Sequence, residues 1–539
     1  MSINTNLPII HTAEGPIQGV LDHDVVAYKG IPYAEPPVGD LRWRPPRPVT
    51  PWTETRHPSK EEAPTCWQNR QQCIELGGGD PYPMSEDCLY LNVWTPPPDA
   101  GAGKLPVMVW IHGGAYIFGA GRLPVYHGAP LVKRGVILVS INYRLGALGF
   151  FAHPALDAER REGELRVNNF GLLDQVAALE WVQRNIEKFG GDPDNVTIFG
   201  QSAGARSVLA LFTSPLVTQR EKPLFHRGIA QSVYRNPDAT QAQARARGEK
   251  LAGLLLGLAD GSTATAEQLR GIDARRIVNI DGEFTKEQLK GTSNSPVAIT
   301  GDDVLPNEAG VIDSFLKGEA APLPLIIGNT SDDGSVVLDI VPAGLIFEMA
   351  PEHKIGAVRY YYPDLAERQD VLALKPILGR RLARDAFFTV TTYKIAEAHA
   401  KQRANVWRYY FDYTAENHRA TVPDGTRHGD DVAFTMNTLA FAPPFPPGSP
   451  DTPLAVTATD EEVASRVSEY WFEFARTGTP SSSTGSEWPK HADGQDKTLL
   501  LGKFIEARTG FMKQQFGERP MDNMSAFDEV GKVLDNFMR

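Results

Sequence analysis

Four short apolar runs punctuate the chain, at 107–111, 136–141, 196–199 and 323–327, and each breaks off into a polar motif containing glycine. Continuous apolar runs of this length, bounded by turn signals, predict strands buried on both faces of a mostly parallel sheet. The motifs that follow them are His112-Gly113-Gly114-Ala115-Tyr116, Asn142-Tyr143-Arg144-Leu145-Gly146, Gly200-Gln201-Ser202-Ala203-Gly204 and Gly328-Asn329-Thr330-Ser331-Asp332-Asp333-Gly334. Open α/β sheets bind ligands at the carboxyl ends of their strands, so four such motifs predict one shared crevice. Between the second and third runs, Leu172, Leu173, Val176, Leu179, Val182 and Ile186 recur at helical spacing. This predicts a crossover helix over 171–189 that Gly190-Gly191-Asp192-Pro193 ends.

Residues 9–43, with several prolines, predict antiparallel strands and turns at the sheet edge. Helical spacing returns over 239–258 and 355–403, predicting helices within 235–420 that cap the crevice. The stretches 96–103, 421–427, 443–453 and 480–487 are rich in Pro, Gly, Ser or Thr and predict surface loops. None is long enough to separate domains, so a single α/β domain over 1–539 is expected.

The third motif carries the most chemistry. Ser202 falls between a predicted strand and the helical run from Ala205, with Gly200 and Gly204 on either side. Such a sharp turn pushes a serine hydroxyl outward at the head of a helix whose N–H groups favour developing negative charge. A serine needs a base oriented by an acid, and in this arrangement the chain order is serine, acid, histidine. Asp332 and Asp333 supply the acids, and the histidines beyond them are His353, His399, His418, His428 and His491. His428 is singled out by its loop, Gly425-Thr426-Arg427-His428-Gly429-Asp430-Asp431, ahead of apolar Val432-Ala433-Phe434. Asp430 and Asp431 are expected to shape that loop or cap the next helix. Gly113, Gly114 and Ala115 offer unobstructed backbone N–H groups for an oxyanion, and Ala203 offers another.

Composition narrows the partners. With 54 Lys and Arg against 66 Asp and Glu, the net charge is -12 and no basic run occurs, which disfavours nucleic acid or an anionic membrane. No stretch approaches the roughly 20 apolar residues of a membrane span. Residues 1–10 lack the basic and apolar segments of an export signal. Cys66, Cys73 and Cys88 admit either one bridge with one free thiol, as in a secreted or periplasmic protein, or three reduced thiols, as in a cytoplasm. No His or further Cys lies near them at ligand spacing, so a metal is not expected, and serine–acid–histidine chemistry calls for no cofactor.

Beyond these motifs, Tyr28-Lys29-Gly30-Ile31-Pro32-Tyr33-Ala34, Leu41-Arg42-Trp43, Ser85-Glu86-Asp87-Cys88-Leu89-Tyr90-Leu91-Asn92-Val93-Trp94 and Tyr470-Trp471-Phe472 complete a pattern. Together with the elbow and the His112 loop, it resembles the type-B carboxylesterase and lipase family of the α/β-hydrolase fold, to which cholinesterases also belong. The resemblance covers nearly the whole chain. It implies a large, mostly parallel central sheet with helices on both faces and helical capping insertions. It also implies hydrolysis of a small-molecule carboxylic ester through an acyl-enzyme. Ser202 then falls on the nucleophile, His428 on the base, Asp333 on the acid, and Gly114, Ala115 and Ala203 on the oxyanion donors.

Departures from the family pattern sharpen the reading. The family usually has Glu where this chain has Asp333, one methylene shorter, so either the loop advances or the hydrogen bond to His428 lengthens. Gln201 stands where cholinesterases carry Glu, and Gly78 where they carry a cation-binding Trp, which disfavours choline esters. By the resemblance, Cys66 and Cys88 match a disulfide, Glu86 and Arg144 an ion pair, and Ser232 a serine near the triad or else a simple strand-end serine. Tyr116 belongs with the possible substrate contacts. Arg206 has no counterpart in the pattern: it either pairs with a nearby carboxylate or binds a carboxylate on the substrate. Lipid or amide hydrolysis is the nearer alternative, and a non-catalytic binding protein the more distant one; the latter predicts a lost Ser or His, and both are present.

Overall fold

The computed structural model describes residues 7–57, 63–97, 103–290, 292, 298–338, 341–349, 362, 371–444, 452–492 and 494–516. The chain divides into two compact units, one made of 1–228, 238–314 and 474–479, the other of 229–237, 315–473 and 480–539.

The first unit is built on strands β1 (Val20–Asp22), β2 (Val25–Pro32), β3 (Tyr90–Thr95), β4 (Leu105–Ile111), β5 (Ile137–Ile141) and β6 (Gly191–Gln201). They lie in the order β6-β4-β5-β3-β2-β1. The runs predicted as buried strands form the parallel part, β4 pairing with both β6 and β5, while β1, β2 and β3 extend the edge antiparallel. Ile111 is in register with Gly200 on one side and Ile141 on the other. The His112, Asn142 and Ser202 motifs therefore leave the sheet at the same end. The predicted crossover helix is Phe170–Asn185, its apolar side buried, followed by a 3-10 turn that Gly190 ends at φ 85°. The expected helix over 239–258 is Gln241–Leu256, opened by a Thr240 and Gln243 capping box and closed by Gly257 at φ 68°.

In the second unit β7 (Arg227–Gln231, on which the division falls), β8 (Leu325–Thr330), β9 (Val406–Phe411), β10 (Lys497–Leu501) and β11 (Ile505–Thr509) follow one another in order. β8, β9 and β10 are parallel, and β11 returns antiparallel. Thr330 is level with Phe411, so the Asp333 loop leaves from the end at which β9 finishes. An isolated bridge between Asp332 and Arg427 brings the acid loop beside the histidine loop. The helical region runs Val371–Arg384, Asp385–Thr389 and Val390–Lys401; 355–361 and 363–370 of the expected stretch, and most of two expected loops (98–102 and 445–451), lie outside the described residues. Among the described residues, no helix is long and apolar enough to cross a membrane.

Candidate active site

Each unit holds its own group of the expected residues: Gln201, Ser202, Ala203, Arg206, Gly113, Gly114, Ala115 and Tyr116 in the first, Ser232, Asp333 and His428 in the second. Ser202 takes φ 57° and ψ −121°, a conformation L residues rarely adopt, at the head of helix Ala203–Thr213. The flanking glycines make this possible through close approach. A Cβ on Gly204 would lie 2.0 Å from the Ile111 carbonyl oxygen, and one on Gly200 would lie 2.6 Å from that oxygen. Strand end and helix head touch backbone to backbone there, so the serine is held by the fold and not by its own preferences.

The His112 loop is held just as tightly. Gly114, Ala115 and Tyr116 are consecutive at φ 100°, 51° and 61°, and the two non-glycine residues cost about 1–3 kcal/mol each. Clamps on either side sustain that cost. Tyr143 Oη donates to His112 O at 2.8 Å, Gly146 N–H donates to Tyr116 O at 2.7 Å, and Phe118 N–H donates to Gly114 O at 3.0 Å. Gln68, buried and without a sequence signal that marks it, grips Gly119 at both backbone groups: Gly119 N–H donates to Gln68 Oε1 at 2.7 Å and Gln68 Nε2 to Gly119 O at 3.0 Å. A Cβ on Gly113 would stand 3.3 Å from Ser202 Cβ, which places this loop against the serine. His112 itself is pushed down to about 4 by burial and stacks on Tyr143, so it stays neutral.

In the second unit Asp333, fully buried, has Oδ1 2.5 Å from His428 Nδ1, while its Oδ2 accepts Thr330 N–H at 2.9 Å. The shorter side chain has not lengthened the contact. Asp332 points elsewhere, to Arg380 at 2.5 Å, and burial pushes its carboxyl up to about 7. A carboxylate on Nδ1 fixes the imidazole and leaves Nε2 to take a proton. Of the other histidines, His399 faces Leu323 O and His491 faces Glu397; His353 lies outside the described residues. Asp431 does not cap the following helix: its Oδ2 accepts from Gln231 Nε2 at 3.0 Å and Tyr409 Oη at 3.1 Å.

Arg206 follows one of its two alternatives, and three further expectations change. Arg206 is buried and donates to Asp238, whose other oxygen accepts Val311 N–H at 2.8 Å, so its charge already has a carboxylate. Tyr116, 1% exposed, packs on Phe150 with its hydroxyl accepting from Ser207 Oγ, and supports the loop instead of facing a ligand. Glu86 and Arg144 do not pair: Glu86 accepts from Arg42 Nε and Nη2, 44 residues away, and Arg144 binds Asp174, 30 residues away, through Nε and Nη2, so each is held in a two-point contact with another planar partner. The three cysteines are free thiols here; a hydrogen bond with Cys66, and then burial, hold Cys88 well above its ordinary value. Ser232 is fully buried at φ 56°, its N–H donating to Gly328 O at 2.8 Å.

Asp22, His23 and His127 bring ligand-type atoms within 4.8 Å of one another. Ala129 N–H donates to His127 Nδ1 at 3.3 Å, which leaves the ring proton on Nε2, 3.2 Å from Asp22 Oδ1. A metal on Nε2 would force that proton onto Nδ1, against an N–H donor, so the trio suits hydrogen bonding and not metal ligation.

The carboxylesterase family matches residues 6–517. Fumonisin B1 esterase of Sphingopyxis macrogoltabida is 36% identical over 89% of this chain and 84% of its own. Para-nitrobenzyl esterase of Bacillus subtilis (strain 168) is 32% identical over 92% and 95%. Among solved structures, a PNB esterase superposes with a TM-score of 0.75 at 30% identity, covering 94% of this chain and 99% of that one. Carboxylesterase EST55 of Geobacillus stearothermophilus superposes at 0.74 with 28% identity, over 96% and 99%. These neighbours share the α/β-hydrolase fold with this protein. On that match, and with an elbow serine and an acid–histidine pair in its motifs, the chain belongs to the carboxylesterase family and is a carboxylic ester hydrolase.

Proposed function

We propose that this protein is a serine esterase working through a covalent acyl-enzyme. Ser202 is the nucleophile, His428 the general base and acid, and Asp333 the acid that orients it. Backbone N–H groups of Gly113, Gly114, Ala115 and Ala203 receive the oxyanion. The observation that carries this reading is the 2.5 Å contact between Asp333 Oδ1 and His428 Nδ1, since an imidazole so held is oriented for proton transfer at Nε2. The strained Ser202 backbone supports it independently, because strain of this kind persists where a side chain must be presented.

In the proposed reaction His428 takes the Ser202 Oγ proton as Oγ adds to the ester carbonyl carbon. The resulting oxyanion is held by the backbone donors, and its collapse breaks the bond to the alkoxy oxygen, which leaves as the alcohol with the proton from His428. Water then adds to the acyl-enzyme by the same route, releasing the carboxylic acid and restoring Ser202. The names of the relatives, fumonisin B1 esterase and para-nitrobenzyl esterase, support small organic esters as substrates. Esters of a carboxylate-bearing acid lose their first support here, since Arg206 is engaged by Asp238.

The test combines Ser202→Ala with labelling. Hydrolysis of p-nitrophenyl acetate should fall by three orders of magnitude or more in the variant, on the order of other serine hydrolases. A phosphorylating reagent should add one adduct to Ser202 in the parent protein and none in the variant. Activity retained by Ser202→Ala would overturn the reading. Short-chain and long-chain esters beside an anilide separate esterase from lipase and amidase.

A further inference from the structure

The helical region after residue 371 contains a π-helical turn, Asp385–Thr389, closed by Val390 N–H donating to Asp385 O. Such a turn spaces its residues more widely than an α-helix and re-aims the side chains it carries; it recurs at functional sites. Here it is anchored on both sides. Arg235 N–H donates to Phe387 O at 2.7 Å. Asn329, near the end of β8 and four residues before Asp333, donates through Nδ2 to Thr389 Oγ1 at 3.3 Å and accepts from Thr392 Oγ1 at 3.2 Å. The turn is thus tied to the strand that carries the acid.

What the turn presents is Phe388. Its ring centroid lies 5.1 Å from that of the His428 imidazole, with the planes inclined at 48°. Phe388 is 1% exposed and belongs to an apolar cluster with Leu382, Phe387 and Tyr393, so the ring has little room to move. His428 is therefore met by a carboxylate at Nδ1 and by a closely packed aromatic ring.

We propose that Phe388 is a positioning residue for His428: the π-helical turn holds its ring against the imidazole, keeping Nδ1 on Asp333 and favouring the imidazolium formed when Ser202 gives up its proton. This rests on His428 being the base. An aromatic ring attracts a cation through its quadrupole, and the attraction grows where water is excluded. The charged groups that face His428 include Asp333, Asp430 and Asp431, with Arg427 preceding it in the chain. The replacements below leave all of them in place.

The sharpest probe is 3,4,5-trifluorophenylalanine at position 388, which keeps the shape of the ring and weakens its negative face. The neutral imidazole is the active form, so loss of imidazolium stabilisation should move the acidic limb of the kcat/KM profile to lower pH by about half a unit. kcat at pH 8 should fall about threefold with KM unchanged. Phe388→Leu should move the limb the same way, with a larger fall in kcat. An unmoved limb in both variants, with only the melting temperature lowered, would reduce Phe388 to space filling and overturn the proposal. Full activity in His428→Ala would instead remove the base assignment, a separate result.

Discussion

Asp333 Oδ1 contacts His428 Nδ1 at 2.5 Å while its neighbour Asp332 is drawn to Arg380. Adjacent residues in one loop therefore have opposite roles, and substitution separates them. Asn at 333 would present an NH2 or an amide oxygen to Nδ1 and no longer favour the proton there, so kcat is expected to drop by about 10³- to 10⁴-fold in Asp333→Asn. Asp332→Asn should keep kcat within about threefold, the neutral amide still accepting from Arg380. Steady-state kinetics on p-nitrophenyl acetate with both variants checks this; a dead Asp332→Asn beside an active Asp333→Asn would reverse the assignment.

Gln68 Nε2 and Oε1 hold Gly119 at both of its backbone groups, just past the three residues at positive φ. Methionine matches the volume of Gln and makes neither bond. In Gln68→Met the proposed oxyanion loop loses an outside clamp, and kcat is expected to fall about 10- to 100-fold with little change in KM. A trifluoromethyl ketone, which forms a tetrahedral oxyanion on the serine, should lose affinity in parallel. A non-reacting substrate analogue should bind as before. Equal weakening of both ligands would mean that the loop has collapsed as a whole.

Four of the parallel strands, the crossover helix and the serine elbow were legible because apolar runs and glycine punctuation are local signals. β9 was not, since Val406–Phe411 carries Arg408 among aromatics; Arg408 is fully buried, and its guanidinium donates through Nη1 to Asp496 and Thr498, 88 and 90 residues away. The same holds in the site. His428 stood out by its glycine-flanked loop, whereas Gln68, Asp238 and Phe388 act through contacts across the chain that no spacing announces. The Glu86 and Arg144 pairing failed for this reason: each charge is taken by a partner, Arg42 or Asp174, that lies tens of residues away in the chain.

Arg206 and Asp238 form a buried ion pair, 2% and 3% exposed at the side chain. Removing one member leaves the other charged and desolvated, so Arg206→Ala is expected to lose about 3–5 kcal/mol of stability in urea unfolding. Because the pair is internal, any fall in activity should be equal for neutral and carboxylate-bearing esters. A selective loss on the carboxylate-bearing esters, with stability unchanged, would return Arg206 to substrate binding.

Asp431 gives the protein a pH dependence whose sign follows from its surroundings. Burial, and then the neighbouring Asp333 carboxylate, push its carboxyl up to about 6 from an ordinary 3.8. Between those values the folded protein keeps a proton that the unfolded chain has released. The stabilising contribution is therefore complete below pH 3.8 and disappears as pH rises through 6, a change of about 3 kcal/mol for two units. Asparagine retains an acceptor for Gln231 and Tyr409 and does not titrate. Asp431→Asn should therefore gain on the parent protein as pH rises, the difference in unfolding free energy growing by about 2 kcal/mol between pH 4.5 and 8, since part of the change is already complete at pH 4.5. Urea unfolding at pH 4.5, 6 and 8 measures this, and a constant difference across the series would mean that Asp431 titrates alike in the folded and unfolded chain.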